Sequence, residues 1–288
     1  MTSKERADDV DHALDKPASA RAYGWILGGK DNYEVDRQSV LDAVQGFPQC
    51  VDIARQNREF LYRAVRYLVQ DAGITQFIDL GCGLPTSNNV HQVAQALNPD
   101  ARVVYVDIDP IVLAHGRALL AKNKATTVIT ADMREPETIL DHPDAQRLID
   151  FSEPVAVLFL SVVHHLKDTD QIGHGPRHTL RHIIDSVAAP GSYLAVSQIV
   201  ADDPQIGAAM SAQIDGDGVP WQTRTPAEFA ALLDGLDPVE PGLVNLTDWR
   251  PDPSQPSLDP VPLPLHPYVG ATETRPGIYE YGGVLRKP

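Results

Sequence analysis

The stretch Phe77-Ile78-Asp79-Leu80-Gly81-Cys82-Gly83 narrows what this chain can fold into more than any other. A short apolar run of this kind reads as a parallel strand buried on both faces. The two glycines that follow let the backbone turn tightly and let a ligand approach it closely. Thr86-Ser87-Asn88-Asn89 then offers side chains that cap a helix start. Strand, glycine turn and helix start together form a site for a nucleotide-type ligand.

The surrounding pattern repeats this unit. Strands are expected at Thr75–Leu80, Arg102–Asp107, Thr126–Thr130, Val155–Leu160 and Ser192–Ser197. Helices are expected at Asn88–Leu97, Pro110–Leu120 and Arg177–Val187, with shorter pieces at Glu135–Leu140 and Ala145–Ile149. That alternation predicts an α/β fold, a mostly parallel sheet with helices on both faces. Before it, Met1–His12 is charged and without apolar periodicity, and is expected to be a loose arm. Helices over Pro17–Ile26, Glu34–Val44 and Val51–Val69 then make residues 1–72 a helical cap on a ligand-binding domain of residues 73–288. In the last third, Pro204–Ile214 reads as helical. Thr225-Pro226-Ala227-Glu228 is a capping box that starts a helix over Pro226–Leu233. Asp237–Leu246 and Ile278–Leu285 read as closing strands, which brings the sheet to seven. Pro251–Pro267 holds seven prolines and is expected to be an extended loop.

Charge narrows the partners. Lys and Arg number 24 against 39 Asp and Glu, a net charge of −15. Nucleic acids and anionic membranes are polyanions, so no broad surface for either is expected. Cys50 and Cys82 form no CxxC pair, the opening residues lack a charged n-region followed by an apolar h-region, and no apolar run reaches spanning length. A soluble protein of a reducing, cytoplasmic compartment is expected. Nothing in the sequence bears on oligomeric state.

Three acids stand at successive strand ends: Asp79, Asp107 and Asp132. In a parallel sheet these ends share one edge. A carboxylate after the second strand can accept hydrogen bonds from both ribose hydroxyls. One after the third can take an exocyclic amine, with Ile108 or Met133 against a purine face. Gly81-Cys82-Gly83-Leu84-Pro85-Thr86 lacks the third glycine of a dinucleotide loop. Asp79 would also press negative charge toward a pyrophosphate. It suits a ligand carrying an amine or a cation there, which favours S-adenosylmethionine over NAD.

Phe77–Gly83, Val104–Pro110, Ala131-Asp132-Met133 and Leu160–Leu166 resemble, in order, the motifs of class I S-adenosylmethionine-dependent methyltransferases. More narrowly, the chain is similar to an actinobacterial S-adenosyl methyltransferase family of unassigned substrate. The stretches that carry this likeness are Ala20-Arg21-Ala22-Tyr23, Leu27–Tyr33, Gly81–Thr86 and Pro241-Gly242…Trp249-Arg250-Pro251. The resemblance implies a Rossmann-like sheet of seven strands with S-adenosylmethionine as cofactor and S-adenosylhomocysteine as product. It also implies roles. The loop Gly81, Cys82, Gly83 would give room to the methionine part, and Asp79 would orient that loop or reach the amino group. Asp107 would bind the ribose, and Asp132 and Met133 the adenine. Ser161 would lie under the sulfonium.

Of His164-His165, His165 is the candidate base for the acceptor's proton. His174, His178 and His182 suggest a metal stripe, but Gly175-Pro176 interrupts it and no metal is expected. Lys30-Asp31-Asn32-Tyr33 lacks the spacing of a phosphate loop. Tyr23 and Tyr33 are expected to line the site from the cap, and Arg58 to face the cofactor carboxylate. Trp221 and Trp249 are candidates for an acceptor wall or for core. Ser161-Val162-Val163-His164 stands where a DNA amino-methyltransferase carries an Asn/Asp-Pro-Pro-aromatic motif. The expected activity is methyl transfer to an O, N or C nucleophile of a small molecule. The alternatives are a non-catalytic S-adenosylmethionine-binding regulator and an NAD-dependent oxidoreductase.

Overall fold

The five residues of β1 (Gln76–Leu80) are buried on both faces, so their side chains alternate between two cores. Ile78 and Leu80 enter one, with Val104, Val106, Val157 and Phe159. Phe77 enters the other, with Val103, Tyr105, Ala156 and Leu158. This is why the strand reads as a continuous apolar run rather than an alternating one. The computed structural model describes residues 16–120, 123–169, 171, 174–186 and 189–288. The expected arm Met1–His12 lies outside them.

β1 pairs in parallel with β2 (Arg102–Asp107) and β4 (Ala156–Phe159). β3 (Thr126–Thr130) adds to β2, and β5 (Tyr193–Ala201) adds to β4. β8 (Ile278–Arg286) then runs antiparallel along the whole of β5, from Tyr193↔Arg286 to Ala201↔Ile278. That pairing extends β5 four residues past the expected Ser197. The strand order reverses at β1, so the carboxyl ends of β1, β2 and β4 open on one crevice.

One helical layer covers the second of those cores. It comprises α3 (Cys50–Gln70) with Phe60, Leu61 and Leu68, and α4 (Val90–Leu97) with Val90 and Val93. The opposite layer includes α6 (Pro136–Leu140), α7 (Pro143–Leu148), α8 (Pro176–Ser186) and α10 (Pro226–Ala231). Two further helices, α5 (Pro110–Leu120) and α9 (Pro204–Gly216), follow β2 and β5.

The expected closing strand over Asp237–Leu246 is two short pieces, β6 (Asp237–Pro238) and β7 (Val244–Asn245), both paired to β8. Pro238 and Pro241 lack the N–H a ladder needs, and Gly242 turns the chain at φ +94°. The sheet therefore has eight strand segments. The proline-rich stretch is not extended throughout. It ends in a 3₁₀ helix, Leu263–Tyr268, which buries Leu265.

Before β1, α1 (Ser19–Ile26) and α2 (Glu34–Gly46) join α3 around Trp25, Ile26, Val40, Val44, Val51 and Ala54. Leu265 completes this cluster from the far end of the chain. Buried Asp36 holds the pair of helices by their starts. It accepts from Ala18 N at 2.9 Å, Tyr33 N at 2.9 Å and Arg21 Nε at 2.8 Å. Arg21 Nη1 lies 3.7 Å from Asp109, just past β2, and so ties these helices to the sheet edge. The segment before the 3₁₀ helix crosses the same region. Asp259 accepts from Arg55 Nη1 at 2.9 Å through its carbonyl and from Ser87 Oγ at 3.0 Å through its carboxylate. Among the described residues no helix is long and apolar enough to cross a membrane.

Candidate active site

The crevice at the β1, β2 and β4 ends is a cleft of about 390 Å³. Small-molecule sites run to ~300–1,000 Å³, so it has the size for a cofactor. The glycine loop forms its floor. Gly81 and Gly83 adopt φ +66° and +65°, which side chains rarely enter. A Cβ on Gly81 would stand 2.6 Å from Val162 Cγ1. Glycine here lets the ends of β1 and β4 touch. Gly81 N and Cys82 N both donate to Val106 O, at 2.8 and 3.2 Å, which bends the loop toward β2.

Asp107 locks that bend. One carboxylate oxygen accepts from Gly83 N at 2.8 Å and the other from Asp109 N at 2.9 Å. Burial pushes its pKa up, against the pull of those two N–H groups. Asp79 is deeper. Its carboxyl is raised to about 7, chiefly by burial, with the Arg58 guanidinium pulling it down and Asp107 adding to the rise. Arg58 itself donates twice to Ser87 O, at 3.1 and 2.7 Å, and to Asn89 Oδ1 at 2.9 Å. It thereby fixes the chain between the glycine loop and α4.

At the β3 end, Arg134 forks onto Asp132, with Nε to Oδ1 at 2.9 Å and Nη2 to Oδ2 at 2.5 Å. Burial raises the Asp132 carboxyl, but Arg134 outweighs it and the net shift is downward. Met133 lines the cleft beside it, and Ile108 faces it with 61% of its surface exposed.

The β4 end carries the other polar groups. Ser161 holds φ +58°. Its N–H donates to Ser197 Oγ at 2.8 Å, and Ser197 donates to Asn57 Oδ1 at 2.8 Å. Asn57 Nδ2 donates to Tyr23 OH at 3.0 Å, and Tyr23 donates to Ala54 O at 3.0 Å. This buried chain crosses from β4 through β5 and α3 to α1. His165 Nδ1 lies 2.9 Å from Pro220 O. A carbonyl only accepts, so Nδ1 carries the proton and Nε2 is the free base, 3.3 Å from Ser19 Oγ. Burial lowers the His165 pKa, and the Pro220 bond only partly restores it.

Twelve of the thirteen expected site residues line this cleft: Tyr23, Arg58, Asp79, Gly81, Cys82, Gly83, Asp107, Ile108, Asp132, Met133, Ser161 and His165. Tyr33 does not. It sits at the start of α2, 42% exposed, with its ring 5.4 Å from Arg21. The double glycine before it turns the chain away from the crevice, and Asn32 closes that turn onto Gly29 O at 2.9 Å. Neither candidate tryptophan reaches the cleft. Trp249 is fully buried against Phe60 and Tyr67. Trp221 lies behind the wall, stacked on His164 with ring centroids 3.7 Å apart. His182 pairs with Glu137 at 3.1 Å.

Several residues that shape the site carry no motif. Arg224 is buried and donates to Leu166 O at 2.7 Å, Asp168 Oδ1 at 2.8 Å and Gln198 Oε1 at 3.0 Å. Gln222 N donates to His164 O at 2.7 Å. Together they dock the segment Val219–Gln222 on the turn after β4, and so hold Pro220 against His165. Glu280 lies beneath Ser161, whose hydroxyl donates to Glu280 Oε2 at 3.4 Å. Its sequence signal was an acid at an inward position of a central strand, in Ile278-Tyr279-Glu280-Tyr281.

Glycines that leave the backbone bare, a buried carboxyl poised near neutrality, and acids at the β2 and β3 ends suit a nucleoside bearing an amino-acid tail. With the 3-2-1-4-5 order and its antiparallel closing strand, they define a class I S-adenosylmethionine-dependent methyltransferase. A family model described as S-adenosyl methyltransferase matches residues 3–288, and the chain belongs to that family. A crystal structure of a candidate methyltransferase from Thermobifida fusca YX is 40% identical, covering 96% of this chain and 97% of its own, with a TM-score of 0.79. A DUF574 family protein from Streptomyces avermitilis MA-4680 is 34% identical, covering 96% and 99%, with a TM-score of 0.80. Geranyl diphosphate C-methyltransferase from Streptomyces coelicolor A3(2), at 14% identity, 95% and 88% coverage and a TM-score of 0.51, shares the fold. Comparison with curated proteins gives no match.

Proposed function

We propose that this enzyme methylates an oxygen or nitrogen of a small molecule, and that His165 takes the acceptor's proton. The observation that carries this reading is the His165 tautomer. Nδ1 is committed to Pro220 O, which leaves a basic Nε2 in the cleft beside Ser19 Oγ. Its lowered pKa keeps the ring neutral at physiological pH, as a base must be before it acts.

When bound, S-adenosylmethionine supplies a methyl group activated by its sulfonium. Asp79 and Arg58 hold the amino and carboxylate groups of the methionine part, and Gly81, Cys82 and Gly83 leave room for it. Asp107 holds the ribose, while Asp132 orients the adenine between Ile108 and Met133. Ser161 lies at the sulfur. The helices before residue 73 act as the cap that excludes water, with Tyr23 and Ser19 on its inner face. Ser19, Leu166, Val219 and Pro220 bound the acceptor side, where no unpaired cation stands among the described residues. That lining suits a neutral, largely apolar acceptor with one reactive O–H or N–H. Orientation of that group supplies most of the catalysis.

The test pairs binding with turnover. Calorimetric titration measures S-adenosylmethionine affinity in the wild type and in Asp107→Ala, and methyl-labelled cofactor is incubated with whole-cell extract that is afterwards separated into low-molecular-mass and macromolecular fractions. Weakened binding in the variant and label in an O- or N-methyl product are expected. Binding with label transferred only to macromolecules would refute the small-molecule reading.

A further inference from the structure

Glu280 is fully buried in β8, and no salt bridge pairs it with a cation among the described residues. Buried acids are normally matched by a cation or fully hydrogen-bonded. Here Oε2 has the Ser161 hydroxyl at 3.4 Å, and Oε1 has no hydrogen-bond partner. Ser197 meets the carboxyl from β5. The titratable groups that sense it are Tyr23 from α1 and Cys50 from α3, both raised to about 12 by burial and uncharged. β6 brings Asp237, but opposite Arg286 at the far end of the strand. Asp79, by contrast, has Arg58. Glu280 therefore has a hydroxyl between it and the cleft, and no positive charge within the described protein to balance it.

We infer that Glu280 is the specificity residue that makes this site hold the cationic cofactor more tightly than its neutral product. This rests on the reading above that the sulfur of the cofactor lies at Ser161. The two ligands share the adenosine and the amino-acid tail and differ by the methyl and its positive charge at sulfur. A positive charge beyond Ser161 draws the proton off Glu280 into solvent, leaving a carboxylate that attracts it through a low-dielectric wall. Loss of the methyl removes that charge, Glu280 takes a proton back from solvent, and the product is held less tightly. Burial raises Glu280 to about 8, so the exchange falls in a measurable range. Asp79 also titrates nearby, but it faces the amino group common to both ligands and cancels in their ratio. His165 is already neutral across this range.

Calorimetric titration of the full chain with S-adenosylmethionine and separately with S-adenosylhomocysteine, in buffers of different ionisation enthalpy, tests this. In the wild type the affinity ratio of cofactor to product should rise about tenfold between about pH 7 and about pH 9. Cofactor binding should release more protons than product binding. In Glu280→Gln both differences should vanish. A wild-type ratio that does not change with pH would overturn the inference without any variant, as would a Glu280→Gln enzyme that keeps the pH dependence. Failure of both ligands to bind would overturn the cofactor placement together with it. Binding of both with equal pH profiles would overturn the role of Glu280 alone.

Discussion

Gly81 and Gly83 have nearly equal backbone angles but unequal surroundings, and substituting each by alanine separates strain from collision. Both sit near φ +65°, where a Cβ costs ~1–2 kcal/mol. For Gly83 that is the main cost, because its Cβ would find only Ala20 Cβ at 4.0 Å. For Gly81 the new methyl would also meet Val162 at 2.6 Å to Cγ1 and 3.2 Å to Cβ. Both of those atoms lie near the backbone and cannot swing away, so overpacking adds ~1–3 kcal/mol. Gly81→Ala should therefore lose about 2–5 kcal/mol of stability and Gly83→Ala about 1–2. Urea midpoints of the two variants measure this. Combining Gly81→Ala with Val162→Ala removes Cγ1, and a double-mutant cycle should recover about 1–3 kcal/mol as coupling. Equal losses for the two glycines, or no coupling to Val162, would show that the β1–β4 contact is not what demands glycine at Gly81.

Three further outcomes are expected. His165→Gln should lower kcat by about 10²–10⁴ while leaving S-adenosylmethionine affinity intact, and should abolish the acid limb of the rate profile; an unchanged kcat removes His165 from the chemistry. Asp79 and Glu280 are raised to about 7 and about 8, so the folded protein holds protons that the unfolded chain has shed. The stability they confer is complete at acid pH and lost as pH rises through those values. Glu280→Gln should flatten the fall in unfolding free energy from urea titrations by up to about 1.4 kcal/mol per pH unit, and a stability that rises with pH would contradict the scheme. Arg224→Met removes three hydrogen bonds from a buried guanidinium and should cost about 2 kcal/mol or more, with a raised acceptor KM. A KM that stays constant would show that the Val219–Gln222 wall does not depend on Arg224.

The parallel core was legible because burial on both faces leaves plain apolar runs, and because the acids Asp79, Asp107 and Asp132 mark where those runs reach the ligand edge. Local hydrogen bonding made Pro226 and Thr225 equally clear as a helix start. Tyr33 was misjudged because position after a double glycine says that the chain turns, not which way. The 3₁₀ helix Leu263–Tyr268 is not legible in the sequence, because proline forbids long helices and central strands yet tolerates a single tight turn. The chain through Tyr23, Asn57, Ser197 and Ser161 could not be read at all. Its links span 34 and 140 residues and use ordinary polar side chains with no spacing rule between them. Glu280 was different: an acid between apolar and aromatic residues of β8 is itself a signal, because the strand's alternation points it inward.

Leu265 sits in the same cluster as Trp25 and Val44, and Asp259 holds Arg55 and Ser87. During synthesis the first helices therefore emerge without the residue that completes their packing, and wait for some two hundred more to follow. β8 arrives later still, bringing Glu280 under Ser161. Contacts of such long range are slow to close. A nascent chain stalled near residue 250 would carry the whole parallel sheet and glycine loop, yet lack the strap across its first helices and the acid beneath its cleft. Packing around the first helices is complete only once Asp259 and Leu265 are in place, so the later segment staples the earlier one.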